Sequence, residues 1–342
     1  MAMRKEVVLI TGASGEIGHG LIKFLGQDKK TNILAMDVMP IDDSLRPYCF
    51  KFIQGDILDQ MLLGRLITEF EINTIFHLAS ILSTKAEHNP ELAQRINVEG
   101  TINLLRLATE QVQMNASTIK FIYPSSIAAY GIPDLKHKME AGKVKEGEWS
   151  EPSTMYGINK LNCEHLGRYY SRYYRQLAAD TSRYAIDFRA IRFPGLISAF
   201  TTPSGGTTDY GPEMLHHAAR GLPYACFVRP DTRLPFMVMP DAIKALLLIE
   251  SAPKSNLNQM VYNVTSFSPT AQEICDIVKH HFPNSAITFK VHEKRQNIVD
   301  TWPAEIDDSA ARRDWGWQPE FNQERSFEDY LVPAIQERLK DE

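Results

Sequence analysis

This chain is short of cysteine and has no long apolar run, and both shortages narrow what it can be. Cys49, Cys163, Cys226 and Cys275 are the only cysteines among 342 residues. They lie far apart, with no C-x-x-C pair and no matching histidine spacing. A disulfide framework and a zinc site are therefore not expected, no metal is expected, and the thiols are expected to be reduced. No apolar stretch approaches the roughly 20 residues that cross a bilayer, so no membrane span is expected. Charge of one sign is not gathered anywhere either. The net charge is −5 without a basic block, which argues against nucleic acid as a partner. The opening Met1-Ala-Met-Arg-Lys runs straight into an apolar segment at 7–10, leaving no room for a secretory signal. A cytoplasmic location is expected, with the mitochondrial matrix as the alternative for a eukaryotic source. Internal repeats and low-complexity segments are absent as well.

What is present reads as an ordinary globular protein. Hydrophobic residues make up 44% and charged residues 23%, and the length suits about two domains with a sizeable core. Short apolar segments at 7–10, 32–37, 50–56, 74–79, 119–124 and 185–192 alternate with helical patterns at 17–26, 57–70, 93–112 and 155–177. That alternation predicts an α/β fold with a doubly wound parallel sheet. After Pro194 the pattern loosens into a Ser/Thr/Gly/Pro-rich stretch at 196–211. A helix at 240–249 and a strand at 260–264 then resume the first pattern, and a helix at 270–281 and a strand at 286–291 follow. The expected division is a dinucleotide-binding domain of 1–193 and 233–265, with a smaller α/β substrate domain of 194–232 and 266–342.

Gly12-Ala-Ser-Gly15-Glu-Ile-Gly18 sits between the first strand and the first helix, the context a dinucleotide-binding loop requires. Gly12 permits the tight turn, Gly15 lets backbone approach a pyrophosphate, and Gly18 allows close helix–strand packing. The phosphates then rest on the helix N-terminus. Asp37 ends the second strand, 22 residues after Gly15. A carboxylate there accepts from both adenosine ribose hydroxyls and repels a 2′-phosphate, which favours NAD over NADP. Asp56 after the third strand reads equally as an adenine-edge residue or a helix cap. Glu16, Ile17, Val38, Ile57, Leu78, Ala79 and Asn97 complete the expected cofactor-binding set. Glu16 puts a carboxylate where the pyrophosphate should lie, so its side chain is expected to point to solvent. His77 reads as a strand-end residue lining the cofactor crevice, not as a base.

Tyr156 and Lys160, in Tyr156-Gly-Ile-Asn-Lys160, share one helix face. A phenol beside an ammonium loses its proton more readily than usual, which makes a base for a hydroxyl proton. Lys160 is also placed to bind a nicotinamide ribose. Ser126, in Tyr123-Pro-Ser-Ser126, lies past the fifth strand and can hold a reacting oxygen against Tyr156; Ser125 points elsewhere in a regular strand. Ser80, at the end of the fourth strand, reads as a substrate contact or a helix cap.

The glycine loop, Ser126 and the Tyr156/Lys160 pair together resemble the extended short-chain dehydrogenase/reductase superfamily, over nearly the whole chain. Pro203-Ser-Gly-Gly-Thr-Thr-Asp-Tyr210, Pro230-Asp-Thr-Arg-Leu-Pro235, Asp300-Thr-Trp-Pro303 and Ile306-Asp-Asp-Ser-Ala-Ala-Arg-Arg-Asp-Trp-Gly-Trp317 closely resemble segments of the zinc-independent, short-chain L-threonine 3-dehydrogenases. The resemblance implies NAD-dependent oxidation of L-threonine to L-2-amino-3-oxobutanoate, with Tyr156, Lys160 and Ser126 catalytic. It implies substrate contacts from Ser80, Ser126, Tyr156, Thr207, Thr208 and Trp302, and packing roles for Trp315 and Trp317. It also implies a homodimer built on the helices at 93–112 and 155–177. The alternatives are a nucleotide-sugar epimerase or dehydratase, for which Arg233 and Arg295 could serve a diphosphate, and an NAD-sensing module without turnover.

Overall fold

In the computed structural model, residues 4–178, 185–201 and 205–341 are described. Pro203 and Ser204 of the Ser/Thr/Gly-rich segment lie outside them. Seven parallel strands form one sheet: β1 (Lys5–Thr11), β2 (Ile33–Asp37), β3 (Lys51–Gln54), β4 (Phe70–His77), β5 (Ile119–Ser126), β6 (Ile186–Phe193) and β7 (Val261–Asn263), in the order β7-β6-β5-β4-β1-β2-β3. The order reverses between β1 and β4, so a crevice opens at their carboxyl ends, where ligands of such sheets bind. β6 is buried along its whole length, and β2 along all but its last residue. That is what a sheet covered on both faces demands.

The helices that matter for the site are α1 (Glu16–Gly26), α2 (Gln60–Glu69), α3 (Gly100–Asn115), α4 (Met155–Arg172), α5 (Tyr210–Ala219), α6 (Met239–Ser251), α7 (Ala271–His281) and α8 (Glu293–Asp300). Short parallel pairs join distant segments outside the main sheet: Gly195–Ile197 with Phe236–Val238, and Tyr224–Cys226 with Ile287–Phe289. One core cluster gathers side chains from 197–238 and 267–335, and two others fill the faces of the sheet. Among the described residues no helix is long and apolar enough to cross a membrane.

Several boundaries differ from expectation: the strand expected at 74–79 runs from Phe70 to His77, the one at 286–291 spans Ile287–Phe289, and three helices shift. The helix expected at 57–70 begins at Gln60, because Asp59 caps it by accepting from the Leu62 N–H, while Asp56 only closes the turn before it through the Leu58 N–H. Residue 70 already belongs to β4. The helix expected at 155–177 stops at Arg172, since Tyr173 leaves helical geometry and Arg175 takes φ +52°. The helix expected at 93–112 is continuous only by way of a wide, π-helical turn over Gln94–Glu99.

Candidate active site

The glycine loop is shaped by what it touches. Gly12 has φ +70°, and a Cβ there would lie 2.5 Å from the Ala79 nitrogen; a Cβ on Gly18 would lie 2.6 Å from two loop carbonyls. Gly15 meets nothing closer than 3.3 Å, so its small size leaves room on the cleft side rather than relieving a clash within the protein. No side chain caps the first turn of α1, which leaves that turn's N–H groups to face the cleft, as an anionic pyrophosphate requires. Asp37 braces the loop: its carboxylate accepts from the Ser14 N–H at 3.0 Å and the Met39 N–H at 2.9 Å. Each oxygen keeps a further lone pair for a ribose hydroxyl. These features fit a dinucleotide.

A cleft of about 640 Å³ runs from this loop across the ends of β4 and β5 to residues of 193–201 and 206–209 and to Trp302, a size typical of small-ligand sites. Its walls bring together Gly12, Gly15, Glu16, Ile17, Gly18, Leu78, Ser80, Ser126, Tyr156, Lys160, Thr207, Thr208 and Trp302. The remaining expected residues lie off these walls. Asp37 and exposed Val38 sit beyond the loop, and Asp56 is exposed past β3. Ile57 is buried against Gly100, and Ala79 backs Gly12. Asn97 lies beneath the cleft, where its amide accepts from the Ser80 hydroxyl and the Ile81 N–H and donates to the Ile81 carbonyl and to Asn159. It fastens the loop that carries Ser80.

Tyr156 stands at the first turn of α4, capped by Thr154, whose hydroxyl accepts from the Gly157 N–H at 3.1 Å. Its phenol faces the Ser126 hydroxyl across the cleft wall, and that hydroxyl accepts from the Ala128 N–H at 3.1 Å. Lys160 is 4% exposed, donates to the Pro124 carbonyl at 2.7 Å, and lies 5.4 Å from the centre of the Tyr156 ring.

This geometry corrects the expected acidification. Burial pushes the Tyr156 phenol above its ordinary value, and only the Ser126 hydrogen bond opposes it. The ammonium lies over the ring, and burial outweighs what favours the phenolate, so these residues alone do not make the phenol acidic. Burial in turn brings Lys160 down to about 8, with Cys163 and Glu164 opposing the fall.

Glu16 is the second correction. It is half-buried on the cleft wall, facing Thr201 and Asp209, and does not point to solvent. The first turn of α1 looks directly at the segment before α5, which encloses the side chain. Burial pushes its carboxyl up, Thr201 opposes this, and the Asp209 charge adds to it. His77 gives neither nitrogen to the cleft: Nδ1 pairs with Thr11 and Nε2 with Thr101, each at 2.9 Å.

At the far end, Thr207 is buried and donates both its N–H and its hydroxyl to Ser83 Oγ, at 3.1 and 3.0 Å. Ser83 was missed by sequence reading, although it follows Ser80 by three residues. Leu82, Phe200, Thr201 and Asp209 on the walls had no distinguishing sequence signal. Arg295 donates to the Gly206 carbonyl and stacks 3.2 Å from the Phe227 ring centre; Arg233 donates to the Ser268 carbonyl and to Glu273. Among the described residues on the cleft walls, Lys160 is the one cation.

Comparison with known proteins adds a second line of observation. The model of the NAD dependent epimerase/dehydratase family matches residues 8–265. The chain is 35% identical over 319 residues to mitochondrial L-threonine 3-dehydrogenase of Bos taurus, covering 93% of this chain and 80% of that protein. The solved L-threonine dehydrogenase of Phytophthora infestans superposes with a TM-score of 0.83 at 35% identity, over 97% of this chain and 99% of the other. A monomeric L-threonine 3-dehydrogenase from a metagenome superposes with a TM-score of 0.82 at 36% identity, over 97% and 99%.

Proposed function

Because this chain belongs to the NAD dependent epimerase/dehydratase family, we propose that it is an NAD-dependent L-threonine 3-dehydrogenase serving threonine catabolism. The observation that carries the reading is that Ser126, Tyr156 and Lys160 meet on the wall of one cleft that begins at a dinucleotide-type glycine loop. The relatives named for the same reaction match along nearly the whole chain. The bound cofactor supplies an acceptor for the hydride that leaves the threonine Cβ. Ser126 holds the β-hydroxyl, and Tyr156, as the phenolate that a bound oxidised nicotinamide and the Lys160 ammonium would favour, accepts its proton as the carbonyl of 2-amino-3-oxobutanoate forms. Lys160, on the cleft wall, would bind the nicotinamide ribose. Ser80 and Thr208 offer polar contacts to the amino-acid end; Thr207 holds the wall in shape through Ser83, and Trp302 closes it. We infer a substrate-facing domain of 194–232 and 266–342 set against the dinucleotide domain.

The nucleotide-sugar reading is weaker on one ground. Arg233 and Arg295, the candidates for a diphosphate, do not themselves line the cleft: Arg233 donates to Ser268 and Glu273, and Arg295 donates to the Gly206 carbonyl and stacks on Phe227. NADH formation followed at 340 nm with L-threonine, and separately with UDP-sugars, distinguishes the two. Turnover with the sugars alone would discard the threonine assignment. The expected homodimer has support in exposed apolar residues on the two long helices, Met114 on α3 and Ile158 and Tyr169 on α4. One relative is described as monomeric, so sedimentation at about twice or once the chain mass of 38.8 kDa decides it.

A further inference from the structure

Beneath the cleft lies a carboxylate that the reaction as described does not use. Glu164 follows Lys160 by four residues and Tyr156 by eight, so all three share one face of α4. Its side chain is 4% exposed. Oε1 accepts from the Ser125 hydroxyl and from Arg192 Nε at 2.9 Å, and Oε2 accepts from Arg192 Nη2 at 2.7 Å. Arg192, near the end of β6 and 3% exposed, also donates Nη1 to the Glu146 carbonyl at 2.9 Å and lies 4.6 Å from the Tyr130 ring centre.

A buried ion pair of this kind is a poor source of stability, since well-packed apolar residues of the same volume do as well or better. Its placement is what distinguishes it. Ser125 immediately precedes Ser126, so the Ser125–Glu164 bond ties the end of β5 to α4 and sets how far Ser126 stands from Tyr156. The pair also has an electrostatic side. Lys160 faces Tyr156, Cys163 and Glu164 from its own helix, Tyr123 from β5 and His77 from β4. Burial keeps the Tyr156 and Tyr123 phenols and the Cys163 thiol in their neutral forms, and holds the His77 imidazole neutral by bringing it down to about 3. Glu164, ion-paired with Arg192, is the carboxylate in this set.

We propose that Glu164, clamped by Arg192, is a positioning residue for the dehydrogenase reaction: it fixes Ser126 against Tyr156 through Ser125 and keeps the Lys160 ammonium charged beside the cofactor ribose. The proposal rests on the dehydrogenase reading above. Glu164→Gln retains an acceptor for Ser125 and removes the charge. Glu164→Gln/Arg192→Met removes both charges and leaves no unpaired guanidinium, so it guards against misfolding of the single variant. In both, kcat is expected to fall about tenfold or more while KM for threonine stays within about threefold. The alkaline limb of kcat is expected to move down by about one pH unit, because the protonated lysine is the working form and loses its negative neighbour. Fluorescence titration with NADH reads the same charge without turnover: affinity should be lost at a lower pH in the variants than in the parent. A folded double variant whose alkaline limb and NADH titration both coincide with the parent's overturns the proposal. If the parent forms no NADH from threonine, the dehydrogenase reading falls instead, and the NADH titration still decides what Glu164 does to Lys160.

Discussion

Tyr156 is a neutral phenol in the free protein, because burial outweighs the Ser126 hydroxyl; to accept the substrate proton it must first ionise, which the positive charge of a bound oxidised nicotinamide and the Lys160 ammonium would favour. Tyr156→Phe removes the proton acceptor and little else. Turnover is expected to drop about 10³-fold with NADH affinity unchanged, as measured by initial rates and fluorescence titration; near-parental turnover would take Tyr156 out of the mechanism. Glu16 makes the opposite kind of prediction. Its carboxyl shares the cleft with Asp209 and with the place a pyrophosphate would occupy. Because burial raises it, it is neutral at low pH and charges as pH rises through that raised value, so NAD binding should weaken with rising pH. Glu16→Gln should flatten that dependence and tighten binding at pH 8 by about fivefold, the equivalent of about 1 kcal/mol of relieved repulsion. Calorimetric titration across the range from the ordinary carboxyl value of 4.5 up to about pH 8 checks both, and an unchanged pH profile would refute the assigned orientation. At Asp37, substitution by Ala should narrow the preference for NAD over NADP and also loosen Ser14; the ratio of kcat/KM values for the two cofactors measures it.

Among the elements, α4 carries most of the chemistry, and its seating depends on one small residue. A Cβ on Gly157 would lie 2.0 Å from the Ala128 carbonyl oxygen, in the short turn that follows Ser126. Gly157→Ala should cost about 1–3 kcal/mol through overpacking and separate Tyr156 from Ser126. A lowered Tm together with a lowered kcat is the expected result; a lowered Tm with full kcat would show that the contact serves packing alone. The element pattern itself was legible from periodicity, because buried parallel strands and amphipathic helices differ in their apolar spacing. Where boundaries slipped, a cap or a φ value decided. Asp56 and Asp59 are equivalent as letters, and only the chain path shows that Asp59 receives the Leu62 N–H.

Across the whole molecule, the cleft has one wall from the sheet ends and another from the segment entering α5. Among the described residues, Thr207 bonded twice to Ser83 and Arg295 bonded to Gly206 tie that second wall to other elements. Closure over NAD and threonine should exclude water before hydride transfer. Hydrogen exchange in residues 205–211 is therefore expected to slow when both ligands are present. Exchange indifferent to ligands would mean this wall is already set in the free protein.

Sequence alone determined the glycine loop, the Tyr156/Lys160 spacing and the alternation that makes a parallel sheet. Each is a local pattern, legible because backbone geometry converts spacing along the chain into a shared face or a turn. Tertiary structure alone decided the direction of the Tyr156 shift, the partner that Glu16 faces, and the meeting of Ser125, Glu164 and Arg192 from β5, α4 and β6. Desolvation and charge act through space between residues tens of positions apart, and no spacing along the chain records which of them will meet.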